Sequence, residues 1–260
     1  GSSIKSCTFT RRGRHWWITM AVDVPAAEAH PTPGSAVGID AGIEHLATLS
    51  DGSHVENIRP RSRREKELRR TQRALARCKR SSKRRRKVRE RLAVAQRRIQ
   101  QARTSHLHKV SADLTQRYAF IAVEDLKLRN MTRSARGTVD APGTNVRQKA
   151  GLNRELLDAA PARLIQMLTY KAERAGGMVA GVDARRTSLE CSSCGTIVEK
   201  TLSLRRHVCG CGADLHRDHN AAINILNRAL VAHGRAKPPG DGNVGHQPVR
   251  RLGTAVAKAA

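Results

Sequence analysis

Three acidic residues lie at the edges of short apolar segments, where rigid elements would hold their carboxylates in fixed positions. They are Asp40 after the run 36–39, Glu124 after the run 119–123, and Asp218 before the run 221–226. Grouped carboxylates are good ligands for Mg²⁺, and two such ions can activate water and stabilise the leaving oxygen of a phosphodiester. The three acids therefore predict a metal-dependent nuclease core.

Each acid also has an ordinary interpretation. A single carboxylate at the end of a strand is usually solvated, and Asp218 precedes a predicted helix, where it would make a good N-cap. Asp125 follows Glu124 directly, and strand alternation places these two side chains on opposite faces, so only one of them can face the site. The metal-site hypothesis depends on the whole set of acids being brought together.

Four of the six cysteines lie close together late in the chain, as Cys191-x-x-Cys194 and, 14 residues later, Cys209-x-Cys211. Two close pairs separated by a short loop are typical of a zinc ribbon, in which four thiolates bind one structural Zn²⁺. The second pair has one intervening residue instead of two, which leaves His207 as an alternative ligand. The clustering indicates metal binding in a reducing cytoplasm rather than disulfide formation.

The chain of 260 residues is strongly basic, with 49 Lys and Arg against 22 Asp and Glu and a formal net charge of +27. This balance favours a polyanionic partner, nucleic acid before membrane, because no basic amphipathic anchor accompanies it. Only two Phe, two Trp and two Tyr are present, which argues against binding mainly by base stacking. No signal peptide and no apolar run of membrane-spanning length is visible.

The basic residues are concentrated between residues 59 and 103, where 21 Lys and Arg accompany three acids. Apolar residues recur there every three or four positions, as in a helix that packs on another helix. They are Val88, Leu92, Ala95, Ile99 and Ala102, with Leu68 and Leu75 on an earlier helix. The alternative is a solvated charged helix without a ligand, but repulsion at this charge density would be costly without a polyanion.

We therefore expect an antiparallel helical hairpin at residues 61–116, with a turn at Ser81 and Ser82 and a broad basic surface that contacts nucleic acid. The side chains expected to make these contacts are Arg63, Arg64, Arg70, Arg73, Arg77, Lys79, Arg80, Lys83, Arg84, Arg85, Arg86 and Lys87.

The remaining patterns predict short strands, a helix and polar loops. Strands are expected at 6–10, 15–24, 36–40, 45–50, 55–58, 119–124 and 177–182, with a hairpin turn at Asp51-Gly52. A helix is expected at 154–175, with Leu157, Leu164, Leu168 and Ala172 on one face and Pro161 as a kink or as its true start. The other segments are a linker at 25–33, a mobile loop at 126–146 and a disordered basic tail after residue 230.

Four motifs come in a characteristic order along the chain. They are Gly38-Ile39-Asp40-x-Gly42, Val123-Glu124-Asp125-Leu126, Thr187-Ser188-x-x-Cys191-x-x-Cys194-Gly195 and Arg217-Asp218-x-Asn220-Ala221-Ala222-x-Asn224. In this order they resemble the RuvC-type nuclease half of TnpB, a transposon-encoded RNA-guided DNA endonuclease related to compact type V CRISPR effectors. Each motif is weak alone, but the ordered set is specific and covers roughly residues 36 to 230.

The resemblance implies an α/β fold: an RNase H-like (RuvC) nuclease core with an inserted basic helical hairpin and a zinc ribbon. It implies that Asp40, Glu124 and Asp218 are catalytic acids that bind two Mg²⁺, that the four cysteines bind one structural Zn²⁺, and that guide RNA and target DNA are the partners. The implied parts are residual wedge-like strands and linker at 1–35, nuclease segments at 36–60, 117–190 and 212–230, the hairpin at 61–116, the ribbon at 191–211 and the tail at 231–260.

The sequence departs from this family in length, since members carry an N-terminal half that grips guide RNA and target DNA. Three other functions therefore stay open: a nucleic-acid-binding module that keeps the nuclease fold but does not cut, a basic accessory protein of transposition, and strand transfer by a transposase of the same fold. The intact set of acids favours the endonuclease, which is expected in the prokaryotic cytoplasm in association with the nucleoid.

Overall fold

The computed structural model describes residues 3–12, 15–23, 31, 34–138, 140–201 and 204–235. The predicted linker, apart from residue 31, and the predicted tail beyond residue 235 lie outside the described residues. The chain divides into two compact units. The first comprises Gly1–Glu28 and Arg59–His106, and the second comprises Ala29–Ile58 and Leu107–Ala260.

The first unit contains a strand pair and a helical hairpin. Strands β1 (Ile4–Arg12) and β2 (His15–Val22) pair antiparallel, as the sequence predicts. The helices are α1 (Pro60–Arg63), α2 (Glu65–Ala76) and α3 (Lys83–Arg117), and the last turns of α3 belong to the second unit. Ser81 adopts a positive φ of 65° in the predicted turn between α2 and α3.

The seam between α2 and α3 is narrow and apolar. Leu68 of α2 is buried with Ala95 and Ile99 of α3. At the other end, the Arg85 guanidinium donates hydrogen bonds to the carbonyl oxygens of Leu75 and Cys78, at 3.1 and 3.3 Å. Because the end of α2 lies beside the start of α3, the two helices run antiparallel, as predicted.

The predicted seam is wrong at one residue, because Ala102 is exposed. The physical reason is that Leu68, the first buried residue of α2, already packs in the cluster that contains Ile99. The seam therefore ends before it reaches the next turn of α3.

The second unit is built on a mixed five-stranded sheet in the order β5-β4-β3-β6-β7. The strands are β3 (Ala36–Asp40), β4 (His45–Leu49), β5 (His54–Glu56), β6 (Phe120–Glu124) and β7 (Met178–Val182). Strands β3, β6 and β7 are parallel neighbours, whereas β4 and β5 are added antiparallel through the predicted hairpin. The five strands predicted for this unit are confirmed, although β5 is shorter than expected.

Side chains of the parallel strands alternate between two cores, as pleated geometry requires. Val37, Ile121 and Val123 join a cluster that includes Leu114 of α3 and Leu168. Their neighbours in sequence face the opposite side, in a cluster with the last helix of the unit. The members of this second cluster are Phe120, Ala122, Ala180, Val182, Ile225, Leu226, Ala229 and Leu230.

The segment between β6 and β7 forms three helices, α4 (Leu128–Met131), α5 (Val146–Ala159) and α6 (Pro161–Arg174). The predicted loop at 126–146 thus contains a short helix. Pro161 opens α6 after Ala160, whose φ of 54° breaks the helical path. Leu157 therefore belongs to a different helix from Leu164, and it is 60% exposed rather than buried as predicted.

After β7 the chain forms a small two-stranded sheet and a final helix. Strands β8 (Arg206–Val208) and β9 (Asp214–His216) pair antiparallel, and α7 (Arg217–Ala232) follows directly. None of the helices in the described part of the chain combines the length and the apolarity needed to cross a membrane.

Candidate active site and cysteine cluster

The first two acids lie side by side at one edge of the sheet. Ile39 of β3 pairs with Val123 of β6 in parallel register, so Asp40 and Glu124 end the two strands at the same level. Both side chains fall on the alternation face that carries Phe120 and packs against α7. The carboxyl ends of adjacent parallel strands thus deliver two carboxylates to one place.

Asp125 occupies the opposite alternation position and does not join this pair. Its backbone N–H donates to the carbonyl oxygen of Val182, and its side chain is exposed. Glu124, by contrast, is partly buried and electrostatically coupled to Asp40. Of the two neighbouring acids, the structure brings Glu124 to the candidate site.

The third acid reaches the site because α7 lies directly on β3. A Cβ atom on Gly38 would stand only 2.0 Å from the carbonyl oxygen of Ala222 and 2.8 Å from the backbone nitrogen of Leu226. Asp218 lies one helical turn before Ala222, and Asp40 lies two residues beyond Gly38. Glycine at position 38 is therefore what lets the helix bring its acid to the strand ends.

Asp218 is not the N-cap of α7, which corrects the ordinary interpretation of this residue. His216 is the N-cap, and its Nδ1 accepts a hydrogen bond of 3.3 Å from the Asp218 backbone N–H. Asp218 instead lies in the first turn, where the helix dipole favours a negative charge. Next to it, the ring of His219 lies 3.3 Å from the Cβ position of Gly52, on the turn after β4.

Burial and mutual repulsion dominate the electrostatics of the three acids. The pKa of Asp40 is raised from 3.8 to about 8, first by burial and then by the negative charges of Glu124 and Asp218, while Arg217 partly opposes the shift. Burial also raises the pKa of Glu124, against a hydrogen bond from Thr187 and the charge of Arg228. Three crowded carboxylates are stable together only when a proton or a cation offsets their charge.

This donor set suits a hard divalent cation, since its ligands would be carboxylate oxygens on rigid strand ends and a helix. Asp40, Glu124 and Asp218 would hold such an ion, and its charge would replace the proton that Asp40 otherwise keeps. Among the described residues only the four cysteines are already close enough together to hold an ion, so cation binding by the three acids is a proposal.

The four cysteines form a second cluster, and their sulfur atoms all lie within 4.8 Å of one another. The Sγ atoms of Cys191 and Cys211 are 3.7 Å apart, and those of Cys194 and Cys209 are 3.6 Å apart. These distances are too long for a disulfide but close to the ~3.8 Å edge of a tetrahedron with 2.3 Å Zn–S bonds. The donor set and its spacing therefore fit a tetrahedral Zn²⁺.

His207, the alternative ligand, is buried but does not belong to the metal-ligand group found among the described residues. Its Nδ1 faces the Nζ atom of Lys200, and the pKa of His207 is lowered by burial and by that charge. The geometry thus favours four thiolates over a mixed ligand set.

Comparison with known proteins shows which families the chain resembles. A family model described as "Probable transposase" (OrfB_IS605) matches residues 19–135, and a model described as "Cas12f1-like, TNB domain" matches residues 162–225. The chain is 37% identical over 236 residues to "Putative RNA-guided DNA endonuclease InsQ" of Escherichia coli (strain K12). The chain resembles the TnpB family over most of its length.

The match to InsQ covers 89% of this chain and 58% of InsQ. A second relative, "Putative RNA-guided DNA endonuclease" of Streptomyces pristinaespiralis, is 33% identical over 89% of this chain and 54% of its own length. The chain thus spans just over half the length of these relatives.

Two solved structures share the fold of this chain. One is a cryo-EM structure of a Cas12f1–sgRNA–target DNA complex, with a TM-score of 0.50 and 17% identity over 87% of this chain and 55% of that chain. The other is a CRISPR-Cas12f ternary complex, with a TM-score of 0.52 and 16% identity over 85% of this chain and 44% of that chain. These similarities and the mixed sheet fit a RuvC-like α/β fold.

The basic side chains that the sequence singles out lie along α1, α2, α3 and the turn before α3. Most are exposed, whereas Arg64 and Arg85 are partly buried. Arg64 pairs with Glu67 at 3.2 Å, and Arg85 binds carbonyl oxygens at the end of α2. Those two residues therefore have contacts within the hairpin, and the exposed ones are better candidates for nucleic-acid contacts.

Sequence reasoning missed the groups that surround the acids. Thr187 donates a hydrogen bond of 2.6 Å to Glu124 Oε1, and His216 caps the helix that carries Asp218. Thr187 stands in a quoted motif beside the cysteines, so the motif gave a signal of its importance but not of its contact. That contact joins residues 63 positions apart in sequence.

Proposed function

We propose that this chain is the nuclease part of an RNA-guided DNA endonuclease of TnpB type, which hydrolyses DNA phosphodiester bonds in a RuvC-type site. The observation that carries the proposal is that Asp40 and Glu124, at the carboxyl ends of adjacent strands, lie close to Asp218 of α7. A site that crowds three carboxylates on strand ends and a helix is suited to binding cations next to a phosphate.

In this proposal the catalytic acids are Asp40, Glu124 and Asp218, and together they hold two Mg²⁺. When bound, the ions would lower the pKa of the attacking water and stabilise the leaving oxygen. The chain itself supplies the fixed positions of the three carboxylates. Arg217 supplies positive charge beside Asp218, with its Nε 3.6 Å from a carboxylate oxygen.

The proposed partners are guide RNA and target DNA, with sequence read by base pairing and the protein contacting mainly phosphates. The net charge of +27 and the exposed basic side chains of the helical hairpin support this choice. The named function of the InsQ-type relatives supports it independently. The work would be done in the prokaryotic cytoplasm, on nucleoid DNA.

The direct test is cleavage of labelled single- and double-stranded DNA in Mg²⁺, with any co-purified RNA retained. Asp40→Ala and Glu124→Ala should each abolish cutting, because each removes a metal ligand. Asp125→Ala is the matched control, since this exposed acid lies on the opposite face and should cut like wild type. Cleavage that survives Asp40→Ala, or that fails in Asp125→Ala but not in Glu124→Ala, would overturn the assignment.

A second candidate function is a nucleic-acid-binding module that does not cut. The observation that favours it is charge, because the exposed basic side chains of the helical hairpin can bind RNA and DNA whether or not the three acids cut. This candidate expects salt-sensitive RNA and DNA binding by wild type and Asp40→Ala alike, with no cleavage by either protein.

A further inference from the structure

A polar framework links the cysteine cluster, α7 and the second acid. It consists of Thr187, which leads into the cysteine segment, and of Asn220 and Asn224 on one face of α7. Thr187 is 3% exposed, Asn220 is fully buried, and Asn224 is 5% exposed. Buried polar side chains carry a free-energy cost unless they are hydrogen-bonded, so their partners indicate what they hold in place.

Thr187 contacts the carboxylate of Glu124. Its hydroxyl has one hydrogen and two acceptors in reach, Glu124 Oε1 at 2.6 Å and the Ala184 carbonyl oxygen at 3.1 Å. The shorter distance is that of a charge-assisted hydrogen bond, and a carboxylate is the stronger acceptor. The hydroxyl therefore donates to Glu124, which fixes one oxygen of that acid.

The backbone around Thr187 is in turn fixed by α7. The side-chain amide of Asn224 donates to the Thr187 carbonyl oxygen at 2.9 Å and to the Glu190 carbonyl oxygen at 2.7 Å. Asn220 donates to the same Glu190 carbonyl at 2.7 Å and accepts from the Ser192 N–H at 2.9 Å. The helix that carries the third acid thus clamps the segment that orients the second.

We infer that Thr187 is a positioning residue: Asn224 of α7 holds its backbone carbonyl, and its buried hydroxyl fixes the Glu124 carboxylate for divalent-cation binding. This inference rests on the function proposed above. It explains why the segment before Cys191 is tied to α7 by side-chain amides, since any shift of that segment would move the Thr187 hydroxyl away from Glu124. A group that holds a ligating carboxylate typically affects metal affinity ten- to a hundredfold.

The test measures Mn²⁺ binding to the zinc-containing protein by calorimetry, taking the part lost in Asp40→Ala as the acid site. Thr187→Val keeps the shape and removes the hydroxyl, and we expect it to weaken Mn²⁺ binding about tenfold. Thr187→Ser restores the donor and should bind within about twofold of wild type. The matched control is Thr115→Val, which removes a buried hydroxyl bonded to the Ser111 carbonyl at 2.8 Å on α3, and it should bind Mn²⁺ like wild type.

The outcomes separate the two proposals. If wild type shows no Asp40-dependent Mn²⁺ binding, the metal site fails and this inference fails with it. If wild type binds and Thr187→Val binds equally well, or if Thr187→Ser is as weak as Thr187→Val, the positioning role alone is overturned. Melting temperatures of the two valine variants should fall by similar amounts, so a loss of affinity in Thr187→Val alone cannot be attributed to lost stability.

Discussion

Asp40 keeps its proton well above the ordinary range of a carboxylic acid, because it is buried beside two other acids. Between pH 3.8 and about 8 the folded protein holds a proton that the unfolded chain has released. Folding stability attributable to this group is therefore fully present below pH 3.8 and is lost progressively as the pH rises to about 8. The folded protein loses no stability with rising pH from this group if the side chain at position 40 cannot ionise.

Asp40→Asn should stabilise the metal-free acid site at pH 8 and flatten this pH dependence. Even one unit of pKa difference corresponds to about 1.4 kcal/mol, or a melting temperature higher by roughly 3–6 °C. Thermal unfolding at pH 5 and pH 8, with zinc retained and Mg²⁺ omitted, measures the effect. Glu173→Gln, an exposed acid of α6, is the control and should change neither value. An Asn variant no more stable than wild type at pH 8 would contradict the raised pKa.

At this scale the sequence predicted the acids and the cysteines but not the contacts that orient them. Strand alternation predicts that Glu124 and Asp125 face apart, yet only the packing of α7 on the sheet decides which one joins Asp40. The role of His216 as N-cap could be read from neither spacing nor composition, since Asp218 is the better N-cap by residue type. Thr187 acts across 63 residues, which no local pattern reports.

At the scale of the elements, the contact between α7 and β3 depends on the absence of a side chain at Gly38. In Gly38→Ala the new Cβ would meet the Ala222 carbonyl at 2.0 Å, and a backbone atom cannot rotate away. We expect this variant to lose about 3 kcal/mol of unfolding free energy, the upper end of the usual cost of overpacking. Gly181→Ala in β7 is the matched control, because nothing lies within 4 Å of its Cβ position. Urea denaturation compares the two, and equal stability would contradict the close approach.

The helical hairpin supports a prediction about nucleic-acid affinity. Replacing the exposed Arg84, Arg86 and Lys87 by Gln should leave the helices intact and lower the slope of log affinity against log salt by roughly 2, at 0.7–0.9 per lost phosphate contact. Arg85→Gln is the contrasting variant, because its guanidinium binds the end of α2. It should instead lower hairpin stability by about 1 kcal/mol. An unchanged salt slope in the triple variant would exclude this surface as the contact.

Local sequence patterns predict most of the helices and strands. The wrong predictions concern residues whose burial is decided by tertiary contacts. Pro161 was predicted to kink or begin a helix, and it begins one. Helical periodicity predicts Leu157 and Leu164 on one face, but the left-handed backbone of Ala160 between them interrupts the helix. Ala102 continues the apolar periodicity of α3, but α2 does not extend far enough to cover it. Helical periodicity predicts which residues share a face, whereas their burial also requires a neighbouring element that packs on that face.

On the scale of the whole molecule, the cysteine cluster is joined through Asn220 and Asn224 to the helix that packs on the sheet. The small sheet of β8 and β9 continues directly into α7, so a loss of structure in the cysteine cluster would also disturb the acid site. The hairpin of α2 and α3 has its own apolar cluster and belongs largely to the other compact unit.

Removing the predicted Zn²⁺ should therefore loosen the second unit far more than the hairpin. The purified protein should hold about one equivalent of zinc, and Cys191→Ser should lose it, because structural zinc supplies folding free energy. Hydrogen exchange measured by mass spectrometry should then show lost protection across residues 206–232 and unchanged protection in α2. Cys7→Ser, an exposed thiol of β1, should behave like wild type. Full protection in a protein verified to be zinc-free would show that the cluster holds its shape by packing alone, and that the ribbon does not depend on a metal.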